Sequence, residues 1–222
     1  MPSRYLLLLL FLGVLLTTVI QLEIISIAFQ KLGLSPRSAL LLMLWALLGS
    51  GINIPLGTVS GKPVTAPAPD TPVWNRIHYP VTPPGTGRMI IAVNLGGCII
   101  PVGIVLHLLV QQLVAPLDLL DLLLALPVIS VFCYLFSHPV PGIGIVMPVL
   151  LAPLVTVLVA MSLEPQNAAP LAFASGVLGV LMGADLLRLR DIRNMGVPIA
   201  AIGGAGTFDG VFLTGIIAVL LT

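Results

Sequence analysis

A short segment near the carboxyl end of the chain combines one carboxylate with four glycines: Gly203-Gly204-Ala205-Gly206-Thr207-Phe208-Asp209-Gly210. The residues around it are apolar, and a charge at the centre of a bilayer costs about 2.5 kcal/mol or more. A carboxylate in such a place is therefore a candidate for binding an ion or a proton. The glycines weaken a helix and leave backbone N–H and C=O groups free to line a cavity. The segment predicts a polar site inside a membrane protein, with Asp209 as its charged group.

The composition indicates that lipid surrounds most of the chain. Of 222 residues, 58% are hydrophobic and only 8% are charged, whereas soluble domains carry about 25% charged residues. The net charge of +1 excludes the basic surface that nucleic-acid binding requires. The two cysteines and three histidines show no metal-ligand spacing, so neither a metal nor a cofactor is expected. We expect a protein of the cell (inner) membrane, whose partner is the lipid bilayer.

Seven apolar stretches are each long enough to cross a bilayer as a helix, which needs about 20 residues. Because an open sheet edge is unfavourable in lipid, all seven are predicted to be helical. The sequence thus predicts an all-α polytopic bundle, in a single integral membrane domain over residues 1–222, with helices broken by glycine and proline. The predicted spans are 5–28, 38–58, 89–113, 117–136, 142–162, 168–187 and 197–221.

Lysine and arginine predict the orientation of these spans. If the amino terminus is cytoplasmic, seven basic residues lie on the cytoplasmic side and two outside, in agreement with the positive-inside rule. The carboxyl terminus is then outside, and a proline-rich loop at 59–88 is cytoplasmic. The cytoplasmic residues are Arg4, Lys62, Arg76, Arg88, Arg188, Arg190 and Arg193, and the outer two are Lys31 and Arg37.

Helix breakers and polar residues gather in the cytoplasmic half of five spans, at depths counted with the helical rise of about 1.5 Å per residue. This clustering predicts a polar cavity that opens to the cytoplasm. Asp209 is its candidate binding or coupling carboxylate. Neutral polar contacts and backbone groups are expected from Asn53, Asn94, Thr207, Gly203, Gly204 and Gly206.

Two segments of the chain resemble each other. Asn94–Leu106 aligns with Ala201–Leu213 without gaps, and three glycines and one leucine coincide. The two spans run in the same direction in the predicted topology. They therefore suggest a parallel 3+1+3 repeat, in which two halves of three spans are joined by the fourth span.

Three classes of function fit these features. A transporter of a small solute or ion would place its site at broken helices, as discontinuous transporter helices do. An intramembrane aspartyl protease would use Asp185 and Asp209 as two carboxylates that share a proton. An accessory subunit of a membrane complex would have no solute path. The expected protein partners are further copies of this chain in a homo-oligomer, or the other members of a membrane complex.

The protease has one geometric difficulty, which is the depth of its two aspartates. In a hairpin of two continuous helices, Asp185 lies opposite Val197, and the two carboxylates are separated by roughly 18 Å. Only an unwound segment between Val197 and Phe208 would bring them closer. Asp185 also has a second interpretation, an ion pair with Arg188 or Arg190.

Four motifs of this chain resemble an uncharacterised family of bacterial and archaeal polytopic membrane proteins, known as a domain of unknown function. The resemblance covers most of the chain outside the proline-rich loop. It implies a shared membrane fold and a shared site, and no activity. The motifs are Gly49-Ser50-Gly51-Ile52-Asn53-Ile54-Pro55, Asn94-Leu95-Gly96-Gly97, Gly183-Ala184-Asp185-Leu186-Leu187 and Gly203 to Phe212.

Overall fold

Apolar helices form most of the structure, a computed structural model that describes residues 4–61, 87–111, 117–140, 144–193, 197, 199–204 and 210–222. Three helical stretches are long and apolar enough to cross a membrane, namely Leu8–Lys31, Leu119–Phe136 and Ala168–Asp191. The helices are α1 (Arg4–Lys31), α2 (Pro36–Ser50), α3 (Ile100–Val110), α4 (Leu119–Phe136), α5 (Leu151–Leu163), α6 (Ala168–Val180), α7 (Leu189–Ile192) and α8 (Gly210–Leu221). Two π-helical segments, π1 (Leu95–Ile99) and π2 (Leu181–Leu186), lead into α3 and continue α6.

The structure also contains strands where the sequence predicted only helices. β1 (Asn53–Ser60), β2 (Arg88–Asn94) and β5 (Ile199–Ile202) form a sheet in the order β1-β2-β5. β1 and β2 are antiparallel, and β2 and β5 are parallel. A small hairpin pairs β3 (His138–Val140) with β4 (Gly144–Val146).

The prediction that every span consists of helix alone is therefore wrong for the spans 38–58, 89–113, 142–162 and 197–221. Each of these stretches begins or ends as a strand and is helical only in the remainder. The prediction assumed that strands are excluded from lipid. That exclusion applies only to strands whose backbone N–H and C=O groups have no hydrogen-bond partners. Here β2 pairs with β1 on one side and with β5 on the other, so its groups are satisfied within the protein, which a membrane environment permits.

The mostly helical composition is confirmed, and so are the helices predicted at 5–28, 117–136 and 168–187, which correspond to α1, α4 and α6 with π2. α2, α5, α8 and π1 with α3 are shorter apolar helices. The count of seven membrane crossings thus stays a prediction. Most of the predicted proline-rich loop, residues 62–86, lies outside the described residues.

Two long-range contacts define the two ends of the bundle. Lys31, in the last turn of α1, donates a hydrogen bond from Nζ to the carbonyl oxygen of Val219 in α8, at 3.3 Å. At the opposite end, the Arg188 guanidinium donates to the carbonyl oxygen of Tyr134 at 2.6 Å, near the end of α4. We call these the Lys31 end and the Arg188 end.

α6 forms the centre of the bundle. Its residues from Pro170 to Val177 are all buried, and it packs against α4, α5 and α8. Glycines set the distance to these neighbours, since a β-carbon on Gly215 of α8 would lie 2.9 Å from the Phe173 ring. Small residues at contacts are the usual means by which membrane helices approach closely.

The described parts of the two resembling segments have the same order of elements. In each, a strand is followed by glycines and then by a helix, so that β2 leads through π1 to α3 and β5 leads towards α8. The two strands lie side by side and parallel, with Val93 paired to Ile202. This agrees with a duplicated strand–glycine–helix unit, while the larger 3+1+3 layout stays a prediction.

Candidate functional site

The carboxylate of Asp185 contacts the backbone of the glycine-rich segment. Its Oδ2 accepts a hydrogen bond from the N–H of Gly203 at 2.7 Å. Asp185 belongs to π2, and π-helical segments inside longer helices are frequent at functional sites. Gly203 and Gly204 have φ values of +82° and +85°, which suit residues without a β-carbon. The turn therefore presents a backbone donor to a carboxylate.

This contact changes which residue lies opposite Asp185, compared with the hairpin of two continuous helices. Asp185 faces Gly203 and not Val197, because β5 is extended and rises about 3.3 Å per residue, where a helix rises 1.5 Å. The segment before the glycines is thus unwound, which is the condition under which Asp185 and Asp209 could approach. Gly206, Thr207 and Asp209 themselves lie outside the described residues.

The glycine turn rests against the beginning of π1. A β-carbon on Gly203 would lie 2.7 Å from the backbone nitrogen of Cys98 and 2.7 Å from the carbonyl carbon of Gly97. Real β-carbons do not approach other atoms this closely, so the site requires glycine at this position. The contact joins the second glycine-rich segment to the first.

Asn94 holds three chain segments together at the same place. Its side-chain Nδ2 donates to the carbonyl oxygen of Ser50 at 2.6 Å and to Oδ1 of Asn53 at 3.0 Å. Its Oδ1 accepts from the N–H of Gly97 at 2.7 Å and so caps π1. The residue is only 1% exposed. Asn94 was predicted as a solute contact, and the structure uses both of its amide hydrogens within the protein.

Asn53 differs from Asn94 in the hydrogen bonds of its side-chain Nδ2. Its Oδ1 accepts from Asn94, whereas its Nδ2 is buried and has no hydrogen-bond partner among the described residues. A buried donor without a partner costs about 1–3 kcal/mol. Of the two predicted asparagines, Asn53 is thus the one with a free donor for a bound group or a water.

These contacts bring four interrupted segments together, and we call the place where they meet the junction. It is formed by the end of α2 with the start of β1, the end of β2 with π1, the middle of π2, and the turn after β5. The closest backbone approach is at Gly96, where a β-carbon would collide with the Ala46 carbonyl oxygen and the Ser50 nitrogen. The residues that define the junction are Ser50, Asn53, Asn94, Gly96, Gly97, Asp185, Gly203 and Gly204.

The basic residues near Asp185 have other contacts. The Arg188 guanidinium forms its ion pair with Asp191, at 2.9 Å. It also donates to the Ser137 carbonyl oxygen at 2.7 Å and lies 4.2 Å from the centre of the Tyr134 ring. The described ion pair of Arg188 is thus with Asp191, and the suggested pairing of Asp185 with Arg188 or Arg190 stays a prediction. Among the described residues, no three His, Cys, Asp or Glu side chains are grouped to hold a metal ion.

Sequence reasoning missed three parts of the junction. It did not assign a role to Gly96, to Gly97 or to the carbonyl oxygen of Ser50. The repeated glycine pair was the available signal, since Gly96-Gly97 and Gly203-Gly204 occupy equivalent positions in the two resembling segments. No sequence signal marks the contact of Ser50 with Asn94, because it depends on how β1 and β2 pair.

Comparison with known proteins agrees with the predicted resemblance. Neither a search of curated proteins nor a search of solved structures found a match to this chain. A family model matches residues 47–221, a range that begins near the end of α2 and includes every residue of the junction. The chain therefore belongs to the family described as protein of unknown function DUF1614.

Proposed function

We propose that the protein transports a small solute or ion, with the junction as its binding site and Asp209 as its coupling carboxylate. The observation that carries the proposal is the contact of Asp185 with the Gly203 N–H, at a place where four interrupted segments meet. Broken segments that offer backbone groups and a carboxylate at one depth resemble the binding sites of secondary transporters.

The charges at the junction support a cation as the coupling species. Asp185 is partly buried, and its carboxylate accepts a hydrogen bond from the Gly203 N–H. Asp209 immediately precedes Gly210, the first residue of α8. Two carboxylates at the junction would hold a cation or a proton, and Asn53 and Thr207 would supply neutral polar contacts.

The test is cation–proton exchange in everted membrane vesicles loaded with a ΔpH by respiration and monitored with acridine orange. Chloride salts of Na⁺, K⁺, Li⁺, Ca²⁺ and Mn²⁺ are added in turn. We expect one of them to dissipate the gradient with the wild type and not with Asp209→Asn. Asp118→Asn is the matched control, because Asp118 caps α4 and lies outside the junction. The proposal is contradicted if every salt changes the pH gradient of wild-type vesicles no more than that of vesicles without the protein.

The same contact favours a second candidate, an aspartyl protease that uses Asp185 and Asp209. The objection to that pair was the separation expected between two continuous helices. The extended β5 segment places Asp185 at Gly203, closer in sequence to Asp209 than the Val197 that continuous helices would place there. Catalysis would need the two carboxylates close enough to share one proton. In that case, one carboxylate would activate water while the other protonates the substrate.

Disulfide trapping measures whether the two aspartates meet. Asp185→Cys and Asp209→Cys are combined in a Cys98→Ser, Cys133→Ala background, and oxidation is followed by mass spectrometry. A disulfide forms only when the α-carbons approach to about 4.4–6.8 Å. Efficient trapping, with cleavage of a reconstituted single-span reporter that either Asp→Asn change abolishes, supports the protease. If the disulfide does not form while cation exchange is intact, the result supports the transporter and contradicts the protease.

A further inference from the structure

A crevice between α2 and α3 lies away from the junction and has a volume of about 510 Å³. Apolar side chains line most of it. Its lining residues are Leu34, Ser38, Leu41, Leu42, Trp45, Ile100, Gly103, Ile104 and His107. The proposed transport site does not use any of them, so the crevice needs its own explanation.

The crevice is wedge-shaped. At the junction α2 and π1 touch, because a β-carbon on Gly49 would lie 3.0 Å from the backbone nitrogen of Gly96. From there both helices continue to the Lys31 end, where α2 begins and α3 ends. Gly103 marks the separation between them, since a β-carbon there would meet no atom within 4 Å. The two helices thus diverge from a closed apex.

The polar groups of the crevice lie only at its wide end. Ser38 is in the first turn of α2 and His107 is in the last turn of α3. Arg37 precedes Ser38 in the same turn and is exposed, so it brings a positive charge close to the wide end, although it does not line the crevice itself. Between these residues and the apex the lining is Leu, Ile and Trp. This distribution of polar and apolar groups matches a membrane lipid, which has an apolar chain and a charged headgroup.

The shape of the crevice argues against a helix as the occupant. A helix is about 10 Å wide, and the contact of Gly49 with Gly96 closes the apex, so a helix would not reach it. An extended hydrocarbon chain is narrower and fits along the wedge. Trp45 is 61% exposed, and a chain in the crevice would cover its ring.

We propose that the crevice binds one phospholipid, with an acyl chain between α2 and α3 and its phosphate at Arg37, Ser38 and His107. The lipid enters from the leaflet at the Lys31 end and fills the wedge that the contact of Gly49 with Gly96 imposes. It stabilises the separation of the two helices and is independent of the transport proposal.

The test is the quenching of Trp45 fluorescence by phosphatidylglycerol with brominated acyl chains. Trp74→Phe leaves Trp45 as the only tryptophan of the chain. In detergent, we expect quenching that saturates at one lipid per protein. Gly103→Phe fills the crevice and should weaken binding about tenfold or more, which is 1.4 kcal/mol or more. Gly13→Phe is the matched control, because Gly13 also has open space around it but lies on α1.

Native mass spectrometry provides a measurement that does not depend on any variant. We expect the wild type to retain one phospholipid, and Arg37→Gln to reduce the preference for phosphatidylglycerol over phosphatidylcholine. Gly103→Leu replaces Gly103→Phe if the larger side chain prevents folding. The proposal is overturned by quenching that rises without saturation, by equal binding in Gly103→Phe, or by retention of a second copy or a non-lipid molecule at this crevice.

Discussion

At the scale of single residues, the junction separates side chains that position the backbone from side chains that are available to a ligand. Asn94 is buried and bonded to three segments, so it positions the backbone. Asn53 retains an unpartnered Nδ2 among the described residues, so it is available. Both are asparagines beside a glycine-rich motif, and the same role was predicted for both from the sequence. Their difference arises from the pairing of Asn53 with Asn94 across the sheet.

Substitutions of Asp185 should separate its charge from its hydrogen bond. Asparagine keeps an oxygen that can accept from the Gly203 N–H, whereas alanine removes both the charge and the acceptor. We expect Asp185→Ala to lower the free energy of unfolding by about 1–3 kcal/mol, and Asp185→Asn to lower it much less while abolishing function. Thermal unfolding in detergent and the exchange assay measure the two effects. Equal destabilisation by both changes would contradict this division.

Gly96 should tolerate no side chain. A β-carbon there collides with backbone atoms of α2, and overpacking of this kind costs about 1–3 kcal/mol or more. For a chain of this length, the loss corresponds to about 2–12 °C in the midpoint of thermal unfolding. Gly103→Ala, in the helix that follows π1, is the control, since it enters open space. A Gly96→Ala protein as stable as the Gly103→Ala protein would show that the two segments are not in contact.

At the scale of elements, hydropathy predicted where the chain is apolar but not where its helices end. α1, α4 and α6 follow from long apolar runs. β1, β2 and β5 were missed because their residues are as apolar as those of a helix, and only their partners make an extended backbone stable in the membrane. The sequence contained residues that interrupt helices at these places, namely Pro55, Asn94 and Gly203. It did not show that the strands beside these breaks pair with one another.

Arg188 binds carbonyl oxygens at the end of α4 and also forms an ion pair with Asp191. The contributions of these two contacts to stability can be compared. Its guanidinium donates to the carbonyl oxygens of Tyr134 and Ser137, while Asp191 is 40% exposed. Exposed ion pairs contribute about 0–1 kcal/mol, whereas hydrogen bonds from a charged group contribute about 1.5–3 kcal/mol. We therefore expect Arg188→Gln to destabilise the protein clearly and Asp191→Asn to have little effect in thermal unfolding. The reverse order would mean that the ion pair dominates.

At the scale of the whole molecule, the Lys31 end and the Arg188 end should lie on opposite sides of the membrane. Arg190 and Arg193 are at the Arg188 end, and the excess of basic residues there predicts that this end is cytoplasmic. The structure supplies the contacts that define the two ends. Their assignment to the cytoplasm or the outside follows from the charges of the sequence alone.

Cysteine labelling of intact cells measures this orientation. In a Cys98→Ser, Cys133→Ala background, a membrane-impermeant maleimide should label Gln166→Cys, which lies between α5 and α6. It should not label Arg190→Cys until the membrane is permeabilised. Both residues are exposed in the structure, so accessibility within the protein does not limit the reaction. Labelling of Arg190→Cys alone in intact cells would reverse the predicted topology.

The parallel pairing of β2 with β5 has a consequence for biogenesis. Ile90 pairs with Ile199, so about half of the chain is synthesised between the two strands. Pairings between distant parts of a chain form slowly, because loop closure precedes any gain from contacts. One edge of β2 is therefore without its partner until β5 has been synthesised. The contact of Asp185 with Gly203 also forms only after that point, and a chain truncated before β5 exposes a strand edge that quality-control proteases can recognise.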